Sequence, residues 1–468
     1  MALRLALVAA VTATAALLSG CGAAPAQIPE SASLAPADAV VYARVTTNSD
    51  SAQWQKAESV LERIPGVRDS LVRSVEQELA SESLDWDEDV APALGDEVVL
   101  VVTAQRKPVV LLRPDSEQKL DALLAKSDQK TVRGDVNGYV ALAETDADLS
   151  EYRAALQHGT IESDDAFVDG LAALPDDSLG LVWVDMAALT DDFRSLFEQA
   201  TQEKLDLGID WLSAALSADD DGMLVAIGVQ SPGAGDTHYE PVLFRRVPAD
   251  AVAAFSFGGT QSTLDKLESR VDLDGLSATI EKATGVSLDG ILDSLSGEGV
   301  LYVRPGGTRP EVTLALTPPD PQKTWATVDR LARRLAAQAH VGVTTGLENG
   351  VVVSQVPMGD LTIRYARLDP DTIVVTNGED ALPVLVGDGP KLVDAEGFRR
   401  AAESVGLEDR TKGFVYVDVD GMLPMLEDVT GEHLPADARD GLAAVDSLVF
   451  QTSGEGDTTL VSGFVRVP

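Results

Sequence analysis

Pro36-Ala37-Asp38-Ala39-Val40 returns unchanged as Pro248-Ala249-Asp250-Ala251-Val252. A duplicated opening constrains a fold more than composition does, because each copy must bury its core with the same order of elements. The rest of each half keeps that order. An amphipathic helix follows the opening strand. Trp54, Ala57, Leu61 and Ile64 line one face of it in the first half, and Leu264, Leu267 and Val271 in the second. Two apolar runs come next. Gly95-Asp-Glu-Val-Val-Leu-Val-Val with Pro108-Val-Val-Leu-Leu-Arg corresponds to Gly297-Glu-Gly-Val-Leu-Tyr-Val with Pro310-Glu-Val-Thr-Leu-Ala-Leu. Each second run ends at Pro-Asp and starts a helix, at Pro114-Asp115 and at Pro319-Asp320. Asp is a good N-cap, and Pro321 suits a first helical turn. In that second helix Trp325, Val328, Leu331 and Leu335 are expected to form the buried stripe.

The third block is the clearest. Phe167 stands before Gly180-Leu-Val-Trp183-Val-Asp185, and Phe398 before Gly413-Phe-Val-Tyr416-Val-Asp418. In both, a strand of aromatic and β-branched residues ends in Asp. Asp185 and Asp418 are expected to cap the segments that follow them, the alternative being two polar groups in a shared cleft. Further strands close each half: Met223 to Gln230 with Pro241 to Val247, and Ser447 to Thr452 with Thr458 to Val467. Leu361, Ile363 and Tyr365 alternate with Thr362 and Arg364, a half-buried strand pattern. Together these signals predict an α+β fold of two tandem copies, residues 34–247 and 248–468. Each copy is expected to be a mixed, mainly antiparallel sheet with helices packed on one face.

The N-terminus is of another kind. Arg4 precedes an apolar run from Leu5 to Leu18, too short to span a bilayer and matching the core of a signal peptide. Leu18-Ser19-Gly20-Cys21 then reads as a bacterial lipobox, an aliphatic residue and two small residues before the cysteine that takes lipid. The expectation is a signal peptide over 1–20, lipid on Cys21 and a short flexible tether over 21–33, rich in Ala, Pro, Ser and Gly. That places the mature chain on the extracytoplasmic side of the cell membrane. Nothing after Cys21 reaches 18 consecutive apolar residues, so no transmembrane helix is expected in the mature chain.

Charge and cysteine content narrow the chemistry. The chain has 36 Lys+Arg against 76 Asp+Glu, a formal charge of −40. Nucleic acid is excluded as a partner, since phosphate binding needs a basic footprint. One cysteine rules out an internal disulfide and any multi-cysteine metal site.

The opening motif behind the signal, the helix ending near Ile64-Pro65-Gly66 and the Val-Asp strand ends resemble an uncharacterised bacterial envelope family, domain of unknown function 3352 (DUF3352). The resemblance covers most of the mature chain. It implies an extracytoplasmic location and brings no catalytic residue.

The sequence carries no recognisable catalytic motif. His158, His238, His340 and His433 include no pair at metal-binding spacing, and there is no nucleophile elbow and no phosphate loop. Asp418, Asp420, Gly421 and Glu427 approach a calcium loop, but Tyr416 occupies its first position. Asp272-Leu-Asp274-Gly275 fails in the same way at Arg270, and in Asp85, Asp87 and Asp89 Val90 replaces the needed glycine. No catalytic, metal or cofactor residue is therefore assigned, and no enzyme is expected. The sequence favours a non-catalytic binding or envelope-maintenance lipoprotein. A solute- or lipid-binding lipoprotein with a ligand between the halves comes second, and an envelope hydrolase using paired carboxylates third.

Overall fold

In the computed structural model the described residues are 28–468 without 82–83, 127–130, 173, 190–207, 232–237, 260–280, 282–284, 307–308 and 432–433. Two compact units result. Unit 1 takes the chain to Gly233 with Ser404–Gly406 and Gly454–Pro468, and unit 2 takes Ala234–Glu403 with Leu407–Ser453.

Strand β1 (Ala39–Thr46) opens unit 1. Its run Val-Val-Tyr-Ala is apolar on both faces, which suits a strand with neighbours on both edges. It lies antiparallel between β2 (Glu97–Thr103) and β6 (Gly180–Asp185), with Tyr42 opposite both Val101 and Trp183. Beyond β2 the sheet continues through β3 (Pro108–Leu112) and β5 (Tyr139–Ala143) to β4 (Val132–Val136). Beyond β6 it continues through β7 (Trp211–Asp219) and β8 (Gly222–Gln230) to β18 (Thr458–Arg466). Helices α1 (Ala52–Arg63), α2 (Val67–Ser81), α3 (Ala91–Leu94), α4 (Glu117–Ala125), α5 (Asp146–Leu156) and α6 (Asp165–Ala172) connect these strands.

The main core of unit 1 holds Tyr42, Val101, Leu111, Trp183 and Trp211 from the sheet, with Leu149 and Tyr152 of α5 and Phe167 and Leu171 of α6. The other face is covered as well. Trp54 and Ala57 of α1 pack on Leu216 and Ala218, and Leu120 and Leu123 of α4 pack on Val98, Val110 and Leu112. The antiparallel α+β class is as the sequence indicates. Helices cover both faces in unit 1, however, because β2, β3 and β7 are apolar on both sides.

Unit 2 repeats the central pairing. Strand β9 (Ala253–Phe257) lies antiparallel between β10 (Glu298–Arg304) and β16 (Gly413–Asp418), with Ala254 opposite Tyr302 and Tyr416. On one side the order runs β10, β11 (Glu311–Thr317), β15 (Ile373–Thr376), β14 (Leu361–Arg367), β13 (Val351–Met358), β12 (Thr344–Glu348). On the other, β16 pairs with β17 (Ser447–Ser453). Among the described residues, β5 is followed outward by one strand, whereas β15 is followed by three. The hairpin β12–β13 is the addition, turned at Asn349-Gly350, both at positive φ. The helices of this unit are α7 (Leu288–Leu295), α8 (Pro321–Gln338), α9 (Ala381–Val386), α10 (Glu396–Ser404), α11 (Val419–Thr430) and α12 (Ala436–Ala443).

The aromatic blocks occupy matching places. Phe167 meets the Trp183 ring edge-on at 5.5 Å, and Phe398 meets Tyr416 edge-on at 5.3 Å. Four expectations are corrected. Pro241 to Val247 forms no strand: Phe244–Arg246 is a 3-10 turn, and Phe244 is buried against Phe398 and Phe414. The tether does not extend to Ser33, because Glu30–Leu34 is already a 3-10 turn with Ser31, Ala32 and Leu34 in the core. The buried stripe of α8 is shifted in part. Trp325 and Val328 pack on the core as expected, but Leu335 is exposed, and Thr324, Thr327, Ala332 and Ala336 are the buried residues beside them. Finally, Ser116 rather than Asp115 caps α4, through the Lys119 N–H at 3.3 Å. Leu264, Leu267 and Val271 lie outside the described residues.

Candidate functional site at the root of the N-terminal segment

Cys21 lies outside the described residues, so the chain is first met a few residues beyond it. There the turn Glu30–Leu34 drops into the main core of unit 1. A short polar chain holds it. The Tyr42 hydroxyl lies 2.9 Å from Ser31 Oγ, which donates to Glu97 Oε2 at 3.4 Å. Tyr139 donates to the other oxygen, Oε1, at 2.6 Å. Since Ser31 gives its single proton to Glu97, Tyr42 is the donor to Ser31. Arg113 stacks its guanidinium over the Tyr139 ring, 4.3 Å from the centroid. Tyr152 donates to the Leu34 carbonyl, and backbone bonds add Ile161 N–H to Ala35 O at 3.0 Å and Ala37 N–H to Gly159 O at 3.1 Å.

The electrostatics keep every phenol a donor. Burial pushes the hydroxyls of Tyr42 and Tyr152 well above the usual tyrosine range. Burial, then the bond to Glu97, does the same to Tyr139. Ser31 is 1% exposed and Tyr42 fully buried. A serine so enclosed, bonded to Tyr42 on one side and Glu97 on the other, is a fastener. What this arrangement can do is hold the incoming chain to the sheet.

The other residues singled out by sequence are placed separately. Asp185 Oδ1 accepts the Ala188 N–H at 2.8 Å, and Asp418 Oδ1 accepts the Gly421 N–H at 2.9 Å. Burial raises the Asp418 carboxyl above the usual range. In the calcium-like loop, Asp418 is thus occupied as a cap, and Glu427 is 3.4 Å from Arg439. Asp85 caps its own turn through the Glu88 N–H at 2.8 Å, and Asp89 pairs with Lys119 at 3.2 Å. Asp272 and Asp274 lie outside the described residues. Among the described residues no group of three or more His, Cys, Asp or Glu is placed to hold a metal.

Sequence reasoning missed Ser31, Tyr42, Glu97, Tyr139 and Tyr152. One signal was available. Both aligned blocks carry a glutamate at the head of an apolar strand, Glu97 and Glu298, where a charge is out of place unless it is bonded.

The model of the family described as "Protein of unknown function (DUF3352)" matches residues 1–125 and 160–465. The chain belongs to this family. The matched segments of this DUF3352 protein include Ser31, Tyr42 and Glu97, while the unmatched stretch carries Tyr139 and Tyr152. Among curated proteins none matches. Of solved structures, crystal form IV of TP0453 is similar at 12% identity over 50% of this chain and 94% of that one, with a TM-score of 0.26. Crystal form III of TP0453 gives 9% identity over 47% and 85%, with a TM-score of 0.25.

Proposed function

We propose that this DUF3352 protein is a lipid-anchored extracytoplasmic module without catalytic activity, attached through Cys21 and serving binding or envelope maintenance. The observation that carries the reading is Leu18-Ser19-Gly20-Cys21 directly behind an apolar run. The packing of Glu30–Leu34 supports it, because an anchored chain needs a firm root where the tether ends. Pro29 lies eight residues past Cys21, so at about 3.3–3.6 Å per extended residue the root stays within roughly 30 Å of the lipid. Two or more acyl chains give stable attachment, whereas one is marginal. Among the described residues no helix is long and apolar enough to cross a membrane. The net charge of −40 supports a partner that is neither nucleic acid nor an anionic lipid surface.

The test is metabolic labelling with an alkyne fatty acid in cells expressing wild type or Cys21→Ala. Label on the wild type alone, with the variant retained as the longer unprocessed form, is the expected result. Equal labelling of both would refute the anchor.

A further inference from the structure

The carboxylate that fastens the incoming chain in unit 1 has a twin in unit 2. Ser31 lies five residues before Pro36, and Leu243 five before Pro248. Tyr42 faces Val101, four residues past Glu97, and Ala254, at the same distance into its repeat, faces Tyr302, four past Glu298. Glu97 and Glu298 are therefore register equivalents, as are Ser31 and Leu243. In both units the carboxylate binds the segment that enters the sheet. Glu298 Oε1 accepts the Leu243 backbone N–H at 2.5 Å.

The two fasteners differ in their donors. Glu97 receives two hydroxyls, one on each oxygen. Glu298 receives the Leu243 N–H on Oε1, and the cations around it are engaged elsewhere. Arg245 pairs with Glu240 at 2.7 Å and Arg246 with Asp369 at 3.4 Å. The Lys391 ammonium is turned to the carbonyls of Val384 and Arg246. Tyr239, whose ring covers Gly258, has its hydroxyl 2.7 Å from Ser256 Oγ. Opposite Glu298 on β11 stands the uncharged Thr317. The ionised carboxyl is thus half-buried, next to another acid, and among the described residues no cation is bonded to it.

We propose that Glu298 is a proton-governed latch on the segment Tyr239–Val247: with a proton on the carboxyl the segment stays docked, and once the proton leaves it opens more often. Burial raises this carboxyl from 4.5 to about 7, the bond from Leu243 and the charge of Arg246 opposing the rise. In the opened segment the carboxyl is solvated and returns toward its ordinary value. Between those two values the docked form holds a proton that the open form has released. Docking therefore weakens as pH rises through this window and levels off above about pH 7.

The experiment is amide hydrogen exchange of Leu243 on the full mature chain, corrected for intrinsic base catalysis, from about pH 5.5 to about pH 8. Protection in the wild type is expected to fall about thirtyfold across that range. Glu298→Gln, which keeps an acceptor and cannot ionise, is expected to stay protected and flat. Flat protection in the wild type, or the same slope in the variant, overturns the latch. Should the variant fail to fold, the titration of the Glu298 carboxyl carbon in the wild type decides. A midpoint near 7 supports the latch, and one near 4.5 overturns it.

Discussion

Asp418 does in the second unit what Asp185 does in the first. Each carboxylate closes its strand and accepts an N–H three residues on, at 2.9 Å from Gly421 and 2.8 Å from Ala188. The cap ends the strand because its side chain takes over an amide that the ladder can no longer serve.

Removing this acceptor leaves the amide without it. Asp418→Ala is expected to cost about 0.5–2 kcal/mol in urea unfolding. Asp418→Asn keeps an oxygen acceptor and sheds a charge that burial disfavours, so its cost should be well below that of alanine. Equal losses in the two variants would show that the cap contributes nothing.

The hydroxyls at the chain's root can be ranked in the same way. Tyr152→Phe strands the carbonyl of the buried Leu34 and is expected to cost about 1–3 kcal/mol. Tyr42→Phe removes one donor from Ser31, which keeps its bond to Glu97, so about 0.5–1.5 kcal/mol is expected. Guanidinium unfolding measures both. A larger loss for Tyr42→Phe than for Tyr152→Phe would contradict the bonding described.

These pairs show what the sequence could and could not reveal. Periodicity located β1, β2, β6 and β16, because alternation and strand-ending Asp residues are local signals. On α8 it rightly placed Trp325 and Val328 against the core and wrongly Leu335, because apolar side chains mark a hydrophobic face without showing which residues come closest. There Thr324, Thr327, Ala332 and Ala336 are buried for their small size, while Leu335 is left outside. It also took residues 30–33 for tether, since small residues read alike in a linker and in a tight turn. The fastener itself joins Ser31 to Glu97 and Tyr139, residues far apart in sequence. Only the pairing of β1, β2, β3 and β5 brings them together.

Gly95 tests that pairing. It stands before β2 at φ +73°, and an added Cβ would lie 1.8 Å from the Arg113 carbonyl oxygen, which is backbone and cannot turn aside. Gly138 has a similar φ of +84° but meets open space. Gly138→Ala should cost about 1 kcal/mol, the penalty of the left-handed region alone. Gly95→Ala carries that penalty and must also part β2 from β3, so its loss should be clearly greater in parallel urea unfolding. Matching losses would mean that the two strands do not approach as described.

The charge of the chain leads to the last expectation. Even if all 36 Lys and Arg were paired, 40 of the 76 carboxylates would have no cation of their own. Added salt acts on this excess in two opposite ways. It weakens ion pairs such as Arg68–Glu58 and Arg400–Glu396, which are exposed and individually weak. It also screens the mutual repulsion of the unpaired acids, within about 8–10 Å at physiological strength. The repulsion involves every acid at once and grows as the chain is compacted, so its relief should outweigh the lost pairs. The melting temperature is therefore expected to rise from low to moderate sodium chloride. Calorimetry at constant pH checks this, with sodium chloride as the only variable. A falling melting temperature would show that the pairs dominate, and a flat one that the acids lie too far apart to repel.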